Sequence, residues 1–199
     1  ILYLQEDMWL NKKVNSSLLN QLFEITKSNK WLQIKLHSSE VYKTVPTEIY
    51  IENYHVAKID NQKSNYLMSH QITLWNKEFL IKQLYKKEHP WRNERKGTKR
   101  IKKLNPEIYH VDCFAENGSP QINENKNPKV RSEYRTVSNN GILNANILNY
   151  IEELKSEPTL KNYSLQLAEN FKNKVTHDGK PKPRKTDIFK RIKNWAKGK

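Results

Sequence analysis

The change of hydrophobic period along the chain restricts its fold more than any other feature. Leu32-Gln-Ile-Lys-Leu36 alternates apolar and polar residues, as a half-buried strand does. Glu48–Ile59, Asn65–Trp75 and Glu107–Ala115 are rich in β-branched and aromatic residues, which suit a pleated surface. Helical stretches lie between them. Residues 1–31 read as helical, with Asn15-Ser16-Ser17 as an N-cap and Leu18, Leu19, Leu22, Phe23 and Ile25 at helical spacing. Asn76 caps a second helix, Lys77–His89, which carries Leu80 and Leu84 on one face and stops at Pro90. From Ile142 onward the period is helical alone. The spacing predicts strands over 32–36, 48–59 and 65–75, the last two forming an antiparallel hairpin about Asp60–Asn65.

Residues 118–141 are polar, hold Pro120, Pro128 and Ser138-Asn-Asn-Gly141, and read as a connector. Beyond it, Leu143–Ser156 carries Ile147, Leu148, Ile151 and Leu154 on one stripe. Leu160–Phe171 carries Leu160, Leu165, Ala168 and Phe171. A third run starts at Thr186 with Asp187 beside the cap, and Ile188, Phe189, Ile192 and Trp195 form its apolar face. The expected fold class is therefore α+β. A mixed α/β N-terminal domain with an antiparallel sheet (residues 1–140) precedes a small C-terminal three-helix domain (residues 141–199).

The charge is placed in two blocks. The chain has 199 residues and a net charge of +15. Residues 90–106 hold seven Lys/Arg and one Glu, and residues 172–199 hold eleven Lys/Arg and two Asp. The remainder is neutral, with 18 basic and 18 acidic residues. Two local positive fields on a neutral body suit a polyanion, with an acidic partner protein as the other reading. The stretch 90–106 has no clean period and reads as an exposed basic loop. Trp91 can stack on a base there or anchor the loop, while Arg92, Arg95, Lys96, Lys99, Arg100, Lys102 and Lys103 hold phosphates.

The C-terminal runs, residues 143–197, resemble a helix-turn-helix domain with a long basic turn, Lys180-Pro-Lys-Pro-Arg-Lys185. The resemblance implies a last helix that packs one face and presents a polar, cationic one to a groove. Lys182, Arg184, Lys185, Lys190, Arg191, Lys193 and Asn194 would make that contact. DNA is the expected partner, with RNA a possible one, and oligomeric state is not legible. His110-Val-Asp112 followed by Glu124-Asn-Lys126 resembles the restriction-endonuclease superfamily pattern. That resemblance implies a second reading: Asp112 and Glu124 holding Mg²⁺ while Lys126 orients the attacking water.

Other chemistry has little support in the residues. The six histidines form no pair at metal-ligand spacing, so no metal site is expected apart from that Mg²⁺. His55, His70 and His110 read as packing residues. Five glycines and no phosphate-loop motif predict no nucleotide cofactor. The single Cys113 excludes an internal disulfide framework. With neither a membrane-length apolar run nor a signal-peptide pattern, an intracellular location (cytoplasm, nucleoid or nucleus) is expected. The triplets at Asn15, Asn117 and Asn162 are then chance glycosylation matches. The chain opens on Ile1 rather than Met, which leaves room for a preceding piece.

Overall fold

The structure, a computed structural model, describes residues 1–11, 13–122 and 131–181. In chain order its elements are β1 (Leu2–Tyr3), β2 (Met8–Leu10), α1 (Ser16–Ser28), β3 (Gln33–His37), β4 (Thr44–Ile51) and β5 (Tyr54–Ile59). β6 (Thr73–Trp75), α2 (Lys77–Gln83), α3 (Pro90–Leu104), β7 (Ile108–Glu116) and β8 (Ser132–Thr136) follow. The chain ends its described part with β9 (Ser138–Asn139), β10 (Ile142–Leu143), α4 (Ile147–Ser156), a 3₁₀ turn (Pro158–Leu160) and α5 (Lys161–Lys172). Two compact units divide between Arg135 and Thr136. The fold is mixed α+β, with five α-helices among the described residues. None of the described helices is long and apolar enough to cross a membrane.

The first unit is built on one mixed sheet in the order β1-β6-β3-β7-β5-β4, with β8 beside β7 and paired to β2. The expected antiparallel sheet is corrected here: β3 runs parallel to β7, and β7 parallel to β8. A parallel pair needs a long crossover, and the chain between β3 and β7 supplies one that includes α2 and α3. The hairpin is also corrected. It lies inside the run read as one strand, with β4 and β5 paired across Glu52-Asn53. Glu52 takes the left-handed φ of 53° that the tight turn requires. Of the run 65–75 only Thr73–Trp75 is strand. The N-terminal helix is likewise shorter than expected, because residues 2–3 and 8–10 are strands.

Period-two alternation sends neighbouring side chains of β3 to opposite faces of the sheet. Ile34 and Leu36 join Val56, Val111 and Cys113 in a core sealed by Leu18 and Leu22 of α1. Asn15 starts that helix by accepting the Leu18 N–H at 3.1 Å. Cys113 is buried in this core, and its Sγ lies 3.6 Å from the Leu36 carbonyl oxygen. The second core gathers Trp75, Ile108 and Ile59 with Leu67, Met68, Phe79 and Leu80, and Ile101 of α3.

The second unit contains the β9–β10 hairpin, closed by Asn140 (φ 53°) and Gly141 (φ 80°), and the helices α4 and α5. Their buried residues are Ile147, Tyr150, Ile151, Ser164, Leu167 and Asn170. Ile147 and Ile151 of the stripe expected on α4 are buried while Leu148 is exposed, and Leu160 and Leu165 of the stripe expected on α5 are exposed. Asn170 Nδ2 donates to the His177 carbonyl at 2.8 Å, holding the following loop with a polar side chain. The third expected helix, from Thr186, lies outside the described residues.

Candidate nucleic-acid interface

Residues 90–104 form a helix, which corrects the expectation of an exposed loop. Pro90 sits in the first turn, where its missing N–H costs no hydrogen bond. The buried positions are Asn93, Gly97, Thr98 and Ile101. They recur at helical spacing, but only one is a large apolar residue. A reading based on hydrophobic period therefore finds no helix there.

Each of those residues has a specific contact. The Thr98 hydroxyl accepts the Met68 N–H at 3.2 Å. Asn93 Nδ2 donates to the Gln83 carbonyl at 2.7 Å. Gly97 lies so close to the chain before it that a Cβ there would be 2.6 Å from Met68 Cγ. Only glycine permits that approach.

The opposite side of α3 is cationic. Arg92, Arg95, Lys99 and Lys102 recur at intervals of three and four residues, a stripe about 15 Å long at the helical rise of 1.5 Å. Among the described residues none of Arg92, Arg95, Lys99 and Lys103 has a carboxylate partner. Lys102 donates to the Gln62 carbonyl at 2.9 Å, and Lys96 is 60% exposed at 3.8 Å from Glu88. The stripe borders an open cavity of about 810 Å³, whose other wall includes Asn65 and Tyr66. Glu94 also lines the cavity, and its Oε1 accepts the His70 N–H at 3.0 Å.

Arg100 is placed differently from its neighbours. Its guanidinium grips both oxygens of Glu88 at 3.1 and 2.9 Å, donates to the Gln83 carbonyl at 2.7 Å and stacks 4.1 Å above Tyr85. This fork ties the segment after α2 to α3. Trp91 is 48% exposed and stands edge-on to His89 at 6.5 Å. Lys182, Arg184, Lys185, Lys190, Arg191, Lys193 and Asn194 lie outside the described residues.

Asp112 is fully buried, and Arg131 donates to its Oδ1 at 2.9 Å. Glu124 and Lys126 lie outside the described residues. Among the described residues no group of three or more His, Cys, Asp and Glu could hold a metal ion.

A second polar cluster lies on the sheet face behind α3. Lys35 is fully buried and donates to Ser69 Oγ at 2.7 Å. Tyr42 lies over it, with Lys35 Nζ 5.7 Å from its ring and its hydroxyl 3.3 Å from the same Ser69 oxygen. The Tyr42 ring also meets His37 at 5.5 Å and His110 at 6.0 Å. Burial pushes Lys35 down to about 7, against the opposing pull of Glu94. Burial likewise pushes His37 down to about 3, with Lys35 and His110 adding to the effect. His110 is lowered by burial too, although Asp112 opposes it. This cluster has one sequence signal: Lys35 shares the parity of Gln33 and His37 in the alternating run.

Comparison with protein-family models, curated proteins and solved structures gave no significant match.

Proposed function

We propose that this chain binds nucleic acid, DNA in the first place, and that the outer face of α3 carries the first contact. The supporting observation is the uncompensated stripe Arg92, Arg95 and Lys99 on a helix whose other side is fixed to the sheet. Side chains on a rigid helix hold their charges at set spacings, which favours tracking a phosphate backbone. The basic block 172–199 supplies a second contact, through Lys182, Arg184, Lys185, Lys190, Arg191, Lys193 and Asn194.

The test is a fluorescence-anisotropy titration at several salt concentrations. Counterion release lowers log K by roughly 0.9 per duplex phosphate contact for each tenfold rise in salt. Reversing Arg92, Arg95 and Lys99 to Glu should weaken binding and flatten the slope by roughly two to three such contacts. Reversing Lys182, Arg184 and Lys185 should flatten it separately. Unchanged affinity and slope in the α3 variant would refute the assignment. Retained binding of an acidic peptide with no binding of DNA or RNA would favour a protein-interaction role.

A further inference from the structure

The cationic stripe of α3 does not face open solvent alone. Tyr66 stands on the other wall of the same cavity and is 49% exposed. Its backbone takes a left-handed φ of 51°. Among the described residues, the other non-glycine residues with such angles are Lys30, Glu52, Asn105, Asn117, Asn140 and Lys174. Tyr66 is the aromatic among them, and a bulky side chain there is an outlier that the surroundings must enforce.

The enforcement is visible on both sides. The Asn65 N–H donates to the Val41 carbonyl at 2.9 Å, and the Lys43 N–H donates to Ser64 Oγ at 2.8 Å. On the other side, the Leu67 carbonyl accepts Gln33 Nε2 at 2.9 Å, and the Met68 N–H donates to Thr98 of α3. Leu67 and Met68 are fully buried. The chain is thus pinned before and after Tyr66 while the ring is turned outward. A tyrosine serving the core would be placed the other way, as Tyr42 is.

We propose that Tyr66 is a stacking platform for an unpaired base, and that α3 binds single-stranded nucleic acid in preference to duplex. This rests on the reading of α3 as a nucleic-acid interface. A duplex keeps its base faces covered, so an exposed ring beside a phosphate-binding stripe gains nothing from it. A single strand offers a base face and a phosphate at each nucleotide, and ring and cations then act on one ligand. The shared chemistry is a phosphodiester chain with unstacked bases, in DNA or RNA.

The experiment uses the full chain with three labelled probes: an oligodeoxyuridine, an oligouridine of equal length and a matched duplex. Tyr66→Gly removes the ring and also relieves the left-handed backbone, so its thermal midpoint should not fall. Single-strand binding should weaken about tenfold, the usual scale for loss of one base–aromatic stack. Duplex binding should not change. Tyr66→Trp should retain single-strand binding. A single-strand loss with either sugar supports the platform, and its dependence on the sugar assigns DNA or RNA. An equal loss of duplex and single-strand binding in Tyr66→Gly, or an unchanged single-strand affinity in it, would overturn the platform. Separately, an Arg95→Glu/Lys99→Glu variant that binds all three probes normally would refute the interface itself, whatever Tyr66 does.

Discussion

The two faces of β3 are built from alternate residues of one five-residue strand, yet they make opposite kinds of core. Ile34 and Leu36 meet the apolar side of α1 in a core of aliphatic and aromatic groups. Gln33, Lys35 and His37 point the other way, all buried, towards Tyr42, Ser69 and the segment that packs on α3. The first face stabilises by removing apolar area from water. The second holds groups whose charged forms are disfavoured by burial, so it contributes less stability and specifies geometry through hydrogen bonds. The proposed interface lies over the second face.

The largest expected effect breaks the apolar face. Leu36→Ala should cost about 3 kcal/mol, the usual range for a truncated buried leucine, read as a lower urea midpoint. Next comes the close contact between α3 and the sheet side. Gly97→Ala should cost about 1–3 kcal/mol through overpacking against Met68. If it is neutral, α3 is not fixed as tightly as the contact requires.

A pH series sharpens the comparison. The unfolded chain holds the Lys35 proton up to about 10.5, while the folded chain releases it above about 7. Between those values the unfolded state binds more protons, so stability should rise with pH. His37 acts with the same sign at lower pH. Its folded value is about 3 against an ordinary 6.5, so stability should fall as pH drops through that window. Lys35→Met should remove the rise between pH 7 and about 9, and leave the protein at least as stable as the parent near neutrality. A loss as large as that of Leu36→Ala would show that the lysine stabilises the fold. The smallest effect should ignore the faces altogether. Asn15 caps α1 on one side, and Asn76 caps α2 by accepting the Phe79 N–H at 3.0 Å. Replacing either with Ala should cost about 1 kcal/mol by thermal unfolding.

The same contrast decides what could be read from the chain. Both caps, the strand 33–37 and the long strand ending near Ala115 were legible, because each pairs an apolar pattern with a clear boundary. Helix α3 was not, since its buried face is Asn93, Gly97 and Thr98 rather than leucines. The β4–β5 turn has no local mark, because Glu52-Asn53 contains neither Gly nor Pro. Strand β8 has none either, because Ser-Glu-Tyr-Arg-Thr is polar. The cations of the candidate site were visible as composition, and their division into the outward stripe and the inward Arg100 required the helix. Tyr66 and Lys35 carried no motif: one is set by a backbone angle and the other by burial, neither of which is written locally.

The position of Cys113 makes the molecule easy to instrument. The chain's one thiol is packed against the Leu36 carbonyl, and burial raises its pKa, so little of it is present as the reactive thiolate. A cysteine introduced on the outer face of α3 would be the accessible nucleophile, and a maleimide dye or spin label would mark it selectively. Distances from α3 to a bound strand then become measurable in the natural sequence background, without first removing a native residue.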